Sequence, residues 1–146
     1  MLFRSDMLAL KTQTIKENPK LAMALAGAWY EVMTTMAAKD AAAQAAREQM
    51  AKDSGTDLAG FDKQLTTTHM FYDPADASAF ADGAALPKTM DLVRKFSFDH
   101  GLLGQGAPSA DVVGIQFPDG TVLGDKANVK LRFDDQFMKL AAAHKL

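Results

Sequence analysis

Three histidines, His69, His100 and His144, are the residues best suited to hold a metal or move a proton near neutral pH. Their spacing matches no HExxH pattern, and the chain has no Cys to complete a ligand set. No metal ligand and no cofactor is expected; the three read as surface or helix-end residues. His100, just before Gly101, suits a helix C-terminus. The run from Gly101 to Gly106 has the glycine count of a phosphate loop. It follows a predicted helix, not a strand, and lacks the Lys-Ser/Thr step, so it reads as an ordinary loop. Asp134-Asp135 and the pair Asp119 and Asp125 carry carboxylates without the spacing of a calcium loop; caps and turns account for them. No serine sits in a nucleophile elbow, and no nucleophile, base and orienting group can be assembled. The residues give no catalytic centre.

The bulk properties narrow the field. A chain of 146 residues is one ordinary domain, and 48% hydrophobic with 23% charged residues is a globular composition. A net charge of −2 gives no basic footprint, which argues against nucleic acid as the main partner. Without Cys, disulfide and thiolate chemistry are excluded, though the compartment stays open. The N-terminal segment carries no secretory-signal pattern, and no window is apolar for the ~20 residues of a membrane span. Residues 1–5 are read as a non-native start, because Leu2-Phe3-Arg4-Ser5 is also one frame of a common sequencing adapter. Residues 6–146 are then one segment.

The elements that would position any site are organised around Pro19–Ala38. Asn18-Pro19 is a helix start, with Asn capping free N–H groups and Pro placed where its missing donor costs nothing. Leu21, Leu25, Ala28, Trp29, Val32 and Met36 recur at the spacing of one helical face, so Trp29 is expected in the core and not against a ligand. Ala22, Ala24, Met33 and Ala37 widen that face until the helix needs cover on more than one side. Residues 7–13 read as a strand end or a helix entry. Asp40 caps an alanine-rich helix that runs through Asp53 and stops at Gly55. Thr56 is expected to cap a third helix with Leu58, Phe61 and Leu65 on one face.

Residues 66–72, TTTHMFY, are β-branched and aromatic and predict extended chain. Asp73-Pro74 starts another short helix, which Gly83 ends. Pro87 opens a longer one with Met90, Val93 and Phe96 inward and Gly101 as its stop. Phe117-Pro118-Asp119-Gly120-Thr121 predicts a turn joining 112–117 to 121–123 as a hairpin. Val129, Leu131 and Phe133 alternate with Lys130 and Arg132 as a half-buried strand. Asp134 caps a final helix carrying Phe137, Leu140, Ala141 and His144. The nine methionines fall at core spacing on these helices. The predicted fold is mostly α with a few short strands, too few for a sheet of their own.

ENPKLAMALAGAWYEVM, the stretch ending MFYDP, and KTMDLVRKFSFDHGLLG together resemble the C-terminal part of periplasmic substrate-binding proteins. The group is the nitrate/sulfonate/taurine type of ABC importers. The ending VGIQFPDGTVLGDKANVKLRFDDQFMKLAAAHKL is closest to the branch found beside urea carboxylase, described as urea or amide transport. The resemblance implies a C-terminal fragment of an α/β two-lobed (type II) binding protein. It implies a periplasmic, non-enzymatic protein that closes on a small solute at a hinge and delivers it to the ABC permease. The first lobe and most cleft-lining loops would lie upstream, so the ligand site would be largely missing. Thr68 and His69, in the predicted extended stretch, are the polar residues to test as ligand contacts from this segment. Two other readings stand beside it. One is a fragment of a thiamine-pyrimidine-synthase-like enzyme of the same shape, which needs a catalytic Cys or His cluster absent from these residues. The other is a stand-alone helical interaction module whose Trp29 helix is covered in a dimer.

Overall fold

The structure is a computed structural model that describes residues 7–146; the segment read as a non-native start lies outside the described residues. Seven helices and three short strands follow one another among the described residues. They are α1 Thr12–Glu17, α2 Pro19–Ala37, α3 Ala41–Asp53, α4 Leu58–Thr66, α5 Pro74–Ala81, α6 Ala85–Asp99, β1 Gly114–Gln116, β2 Val122–Leu123, β3 Val129–Arg132 and α7 Gln136–Ala142. Of the ambiguous residues 7–13, Thr12 and Gln13 open the short helix α1, and 7–11 carry no regular structure.

Local chemistry fixes most of the boundaries. The Asn18 side chain accepts the Leu21 N–H at 3.3 Å, Asp40 accepts from Ala43 at 2.8 Å, and Asp73 accepts from Ala75 at 2.7 Å. The cap of α4 is Asp57, which accepts the Gly60 N–H at 2.8 Å, and not the expected Thr56. A carboxylate one position later reaches the orphan amides with a charge-assisted bond, which outcompetes a hydroxyl. Helix α6 begins at Ala85, so Pro87 sits inside its first turn, where a missing N–H still costs nothing. Gly101, at φ +70°, closes α6 in the left-handed conformation.

Helix α2 packs against α1, α3 and α7, while α4 lies on α3, and α5 contacts α6 and α7. Its buried residues are Ala22, Ala26 and Met33, a face adjacent to the expected one. Leu21, Trp29 and Val32 are 39%, 49% and 44% exposed, so Trp29 is not core. The physical reason lies in side-chain size: alanines on α2 and the buried Ala43 and Ala51 of α3 make a close, small-residue contact that a large stripe would hold apart. Arg47 of α3 secures the join. Its guanidinium donates to the free carbonyls of Met36 (3.2 Å) and Ala38 (3.1 Å) at the end of α2 and pairs with Asp62 of α4 at 3.3 Å.

The strands, expected to be too few, do form a sheet of their own in the order β2-β1-β3. β1 pairs antiparallel with β2, with Ile115 opposite Leu123. It pairs parallel with β3, with Ile115 opposite Leu131 and a bulge between Gly114 and Ile115. Leu86 of α6 joins Ile115 and Phe117 as the buried centre, flanked by Met90, Leu123, Leu131 and Phe133. The Phe117 and Phe133 rings stack at 5.8 Å. On α6 the inward residues are Leu86, Met90 and Val93. Phe96, expected inward, is 55% exposed, as is Leu92 at 59%.

Among the described residues no side chain larger than alanine is fully buried, and the chain exposes 10234 Å². Size scaling gives roughly 7,300 Å² for a compact monomer of 15.7 kDa, so the surface is about 40% larger than its mass requires.

Candidate functional site

Thr68 and His69 leave the end of α4 on an exposed turn. The three threonines are not extended chain. Thr66 donates its hydroxyl to the Lys63 carbonyl, and Thr67 and Thr68 donate to that of Gln64. These bonds satisfy the last carbonyls of α4, which explains why β-branched residues end a helix here and do not begin a strand. Only 69–72 runs without regular structure, and it pairs with no strand among the described residues. The His69 ring meets Phe71 edge-on at 4.6 Å, and Phe71 meets Phe80 of α5 at 4.9 Å. Thr68 and His69 are therefore neighbours on the surface, with no enclosed cleft formed around them by described residues.

The other histidines stand apart from them. His100 stacks on Phe96 at 3.9 Å, its Nδ1 lies 2.9 Å from the Phe96 carbonyl, and it ends α6 as expected. His144 follows α7 at φ +54°. Among the described residues, no group of three or more His, Asp or Glu is placed to hold a metal. Gly101, Gly104 and Gly106 all adopt positive φ, the geometry of successive tight turns after a helix.

Two polar clusters were not expected from the sequence. In the first, the buried Ser78 hydroxyl of α5 donates to Asp135 Oδ2 at 2.9 Å. Lys139 Nζ reaches the same oxygen at 2.7 Å and Asp82 Oδ2 at 2.9 Å. Burial opposes ionisation of Asp135, but the bonds from Lys139 and Ser78 outweigh it and hold the carboxyl below its usual range. The bonds to Asp135 and Asp82 raise the Lys139 ammonium above its usual value. Asp135 thus accepts from both the Ser78 hydroxyl and the Lys139 ammonium. The cluster clasps α5 to the start of α7. Beside it an open, alanine-lined groove of about 440 Å³ runs past Ala75, Ser78, Ala79, Lys139, Ala142 and Ala143.

In the second cluster, Arg94 of α6 binds Asp91 and reaches across to Asp111, while Lys95 bonds Asp91 at 2.7 Å. The bonds from Lys95 and Arg94 lower the Asp91 carboxyl. This arrangement pins α6 to the segment leading into β1. The i, i+4 spacing of Asp135 and Lys139 and of Asp91 and Lys95 is readable in sequence; Ser78 lies 57 positions from Asp135 and leaves no such signal.

Neither cluster offers an unpartnered group facing an enclosed space, so the geometry presents adhesive contacts and an exposed aromatic turn. No protein family, curated protein or solved structure matches the chain.

Proposed function

We propose that this chain contributes the C-terminal helical layer of the solute-binding component of an ABC importer. The type is nitrate/sulfonate/taurine, in the branch beside urea carboxylase. The observation that carries the reading is the outer face of α6. Leu92 and Phe96 and, just beyond the helix, Leu102 are 59%, 55% and 68% exposed, while the opposite face packs on the sheet. A helix apolar on two sides belongs between two layers. The parallel pairing of β1 and β3, in a sheet whose β1–β2 pair is antiparallel, is compatible with the mixed edge of an α/β sheet. Both features fit the α/β lobes that the sequence resemblance implies.

In the complete protein, hinge closure would trap urea, a short amide, or a sulfonate- or nitrate-like solute in the periplasm and present it to the permease. Thr68 and His69 are the candidate solute contacts from this segment, supported by their exposure on a turn beside Phe71 and Phe80. The test is to extend the reading frame at the genomic locus, express the longer product and titrate it calorimetrically with urea, acetamide, taurine and nitrate. Saturable binding by the longer product and none by the 146-residue chain is expected. Absence of an in-frame upstream lobe, or saturable binding by the short chain, would refute the proposal.

A further inference from the structure

We propose that two copies of this chain associate through the outward faces of their α2 helices. The helices run antiparallel across a two-fold axis that passes between Ala26 and Gly27. The inference stands on α2 alone and does not depend on the transport reading. α2 has 19 residues, a rod of about 28 Å. Leu21, Leu25, Ala28 and Val32 alternate along it in steps of four, three and four, which is the seam spacing of two packed helices. Leu21, Ala28 and Val32 are exposed, Leu25 is half-buried, and Trp29, 49% exposed, borders the seam. The remaining neighbours of α2 engage other faces: Ala22, Ala26 and Met33 are buried, and a Cβ on Gly27 would touch Leu146.

The seam is self-complementary in one orientation. Antiparallel pairing about the stated axis sets Leu21 against Val32 of the second copy and Leu25 against its Ala28, large against smaller in both layers. Lys20 and Glu31, both exposed, lie on one flank of this seam. Antiparallel helices bring like flanks together, so Lys20 falls within two residues, about 3 Å of axial rise, of Glu31 of the second copy. The two-fold repeats that pair. A parallel arrangement would instead carry the Lys20–Glu31 flank of each copy to opposite sides of the pair, leaving both charges without a charged partner across the seam. Charge therefore selects the antiparallel dimer.

Sedimentation and light scattering of the full chain from about 1 to 100 μM, the range in which an interface of this kind dissociates, test the proposal. A mass of twice 15.7 kDa is expected at the upper end, with the emission of the sole Trp moving to the blue as the dimer forms. Val32→Glu should leave the far-ultraviolet dichroism intact and hold the chain monomeric. Lys20→Glu should weaken the dimer about tenfold, and Lys20→Glu combined with Glu31→Lys should restore it. Because the chain has no Cys, mixing Leu25→Cys with Ala28→Cys chains reports register: the mixed disulfide should form faster than either homodisulfide. A monomeric mass at every concentration, a dimer indifferent to Val32→Glu, or a double charge reversal that fails to restore association would each overturn it.

Discussion

Removing the carboxylate at Asp135 tests whether α7 is held by its polar clasp or by packing. None of the residues of α7 is buried, and its contact with α5 runs along alanines. Asp135 itself is 6% exposed and accepts bonds from Ser78 at 2.9 Å and Lys139 at 2.7 Å. Asp135→Ala would leave the buried Ser78 hydroxyl without its acceptor, a loss of about 1–3 kcal/mol for a bond to a charged group. Lys139 is 56% exposed, keeps Asp82 and can turn to water, so its share is small. The loss of about 1–3 kcal/mol corresponds to a fall of roughly 2–12 °C in Tm for a chain of this length. Ser78→Ala alone should cost about 1–2 kcal/mol, and the double variant less than the sum of the two, because one bond is removed twice. Urea unfolding followed by far-ultraviolet dichroism, with hydrogen exchange on the α7 amides, supplies both readouts. If Asp135→Ala lies within about 0.5 kcal/mol of the parent, or if the effects of the two substitutions simply add, the clasp does not hold α7.

Other outcomes follow from the same geometry. Met33→Ala, at a residue 4% exposed, should cost about 2–4 kcal/mol, whereas Trp29→Ala at dilute concentration should cost about 1 kcal/mol or less despite the larger side chain; paired urea melts decide the order. Gly114→Ala should destabilise by about 2–3 kcal/mol and loosen the β1–β3 pairing, since an added Cβ would collide with the Asp125 carbonyl and Val129, which amide exchange in 114–116 would report. The Asp91, Asp119 and Asp135 carboxyls are all lowered in the fold from an unfolded value near 3.8, so their stabilisation is complete above that pH and is lost as the pH falls through their folded values. Acid titration of the dichroism should therefore show stability flat in this respect from about pH 5 to 7 and declining below about pH 4. Burial, with Asp73 nearby, raises the Tyr30 phenol, so absorbance at the tyrosinate band should show ionisation above the ordinary value of 10, and the fold should weaken as alkali ionises the unfolded chain first.

Much of the order of elements was legible because it depends on local rules. Asn18, Asp40 and Asp73 cap where short polar side chains meet free amides, and Phe117 to Thr121 turns where Pro, Asp and Gly fall in sequence. The errors arose where a local rule met a tertiary choice. The apolar face of α2 is wide enough for its neighbours to select among its sectors, and they took the alanines, leaving Leu21, Trp29 and Val32 outside. Periodicity measures how much of a helix is apolar and cannot say which apolar sector is used. The threonines at 66–68 have strand propensity, yet their hydroxyls close the end of α4, a use that β-propensity does not describe.

The polar clusters were illegible for a different reason. Ser78 is an unremarked serine in an alanine-rich helix, and only the approach of α7 makes it the sole hydroxyl bonded to a buried carboxylate among the described residues. Function has the same character here. A binding site is made by distant segments converging, and the described residues converge only in a clasp, an ion cluster and a small apolar centre around Leu86, Ile115 and Phe117. Among the exposed large apolar residues, two groups align on helices: Leu92, Phe96 and Leu102 around α6, and Leu21, Trp29 and Val32 on α2. Scattered single apolar residues need no explanation, but stripes aligned on two separate helices do. The two stripes differ in kind, since that on α2 has the heptad spacing and flanking Lys20 and Glu31 of a helix partner, while that of α6 backs a sheet with a parallel pair. Different occupants are therefore expected, and Val32→Glu and Phe96→Glu should separate them: the first should abolish self-association, and the second should leave it intact.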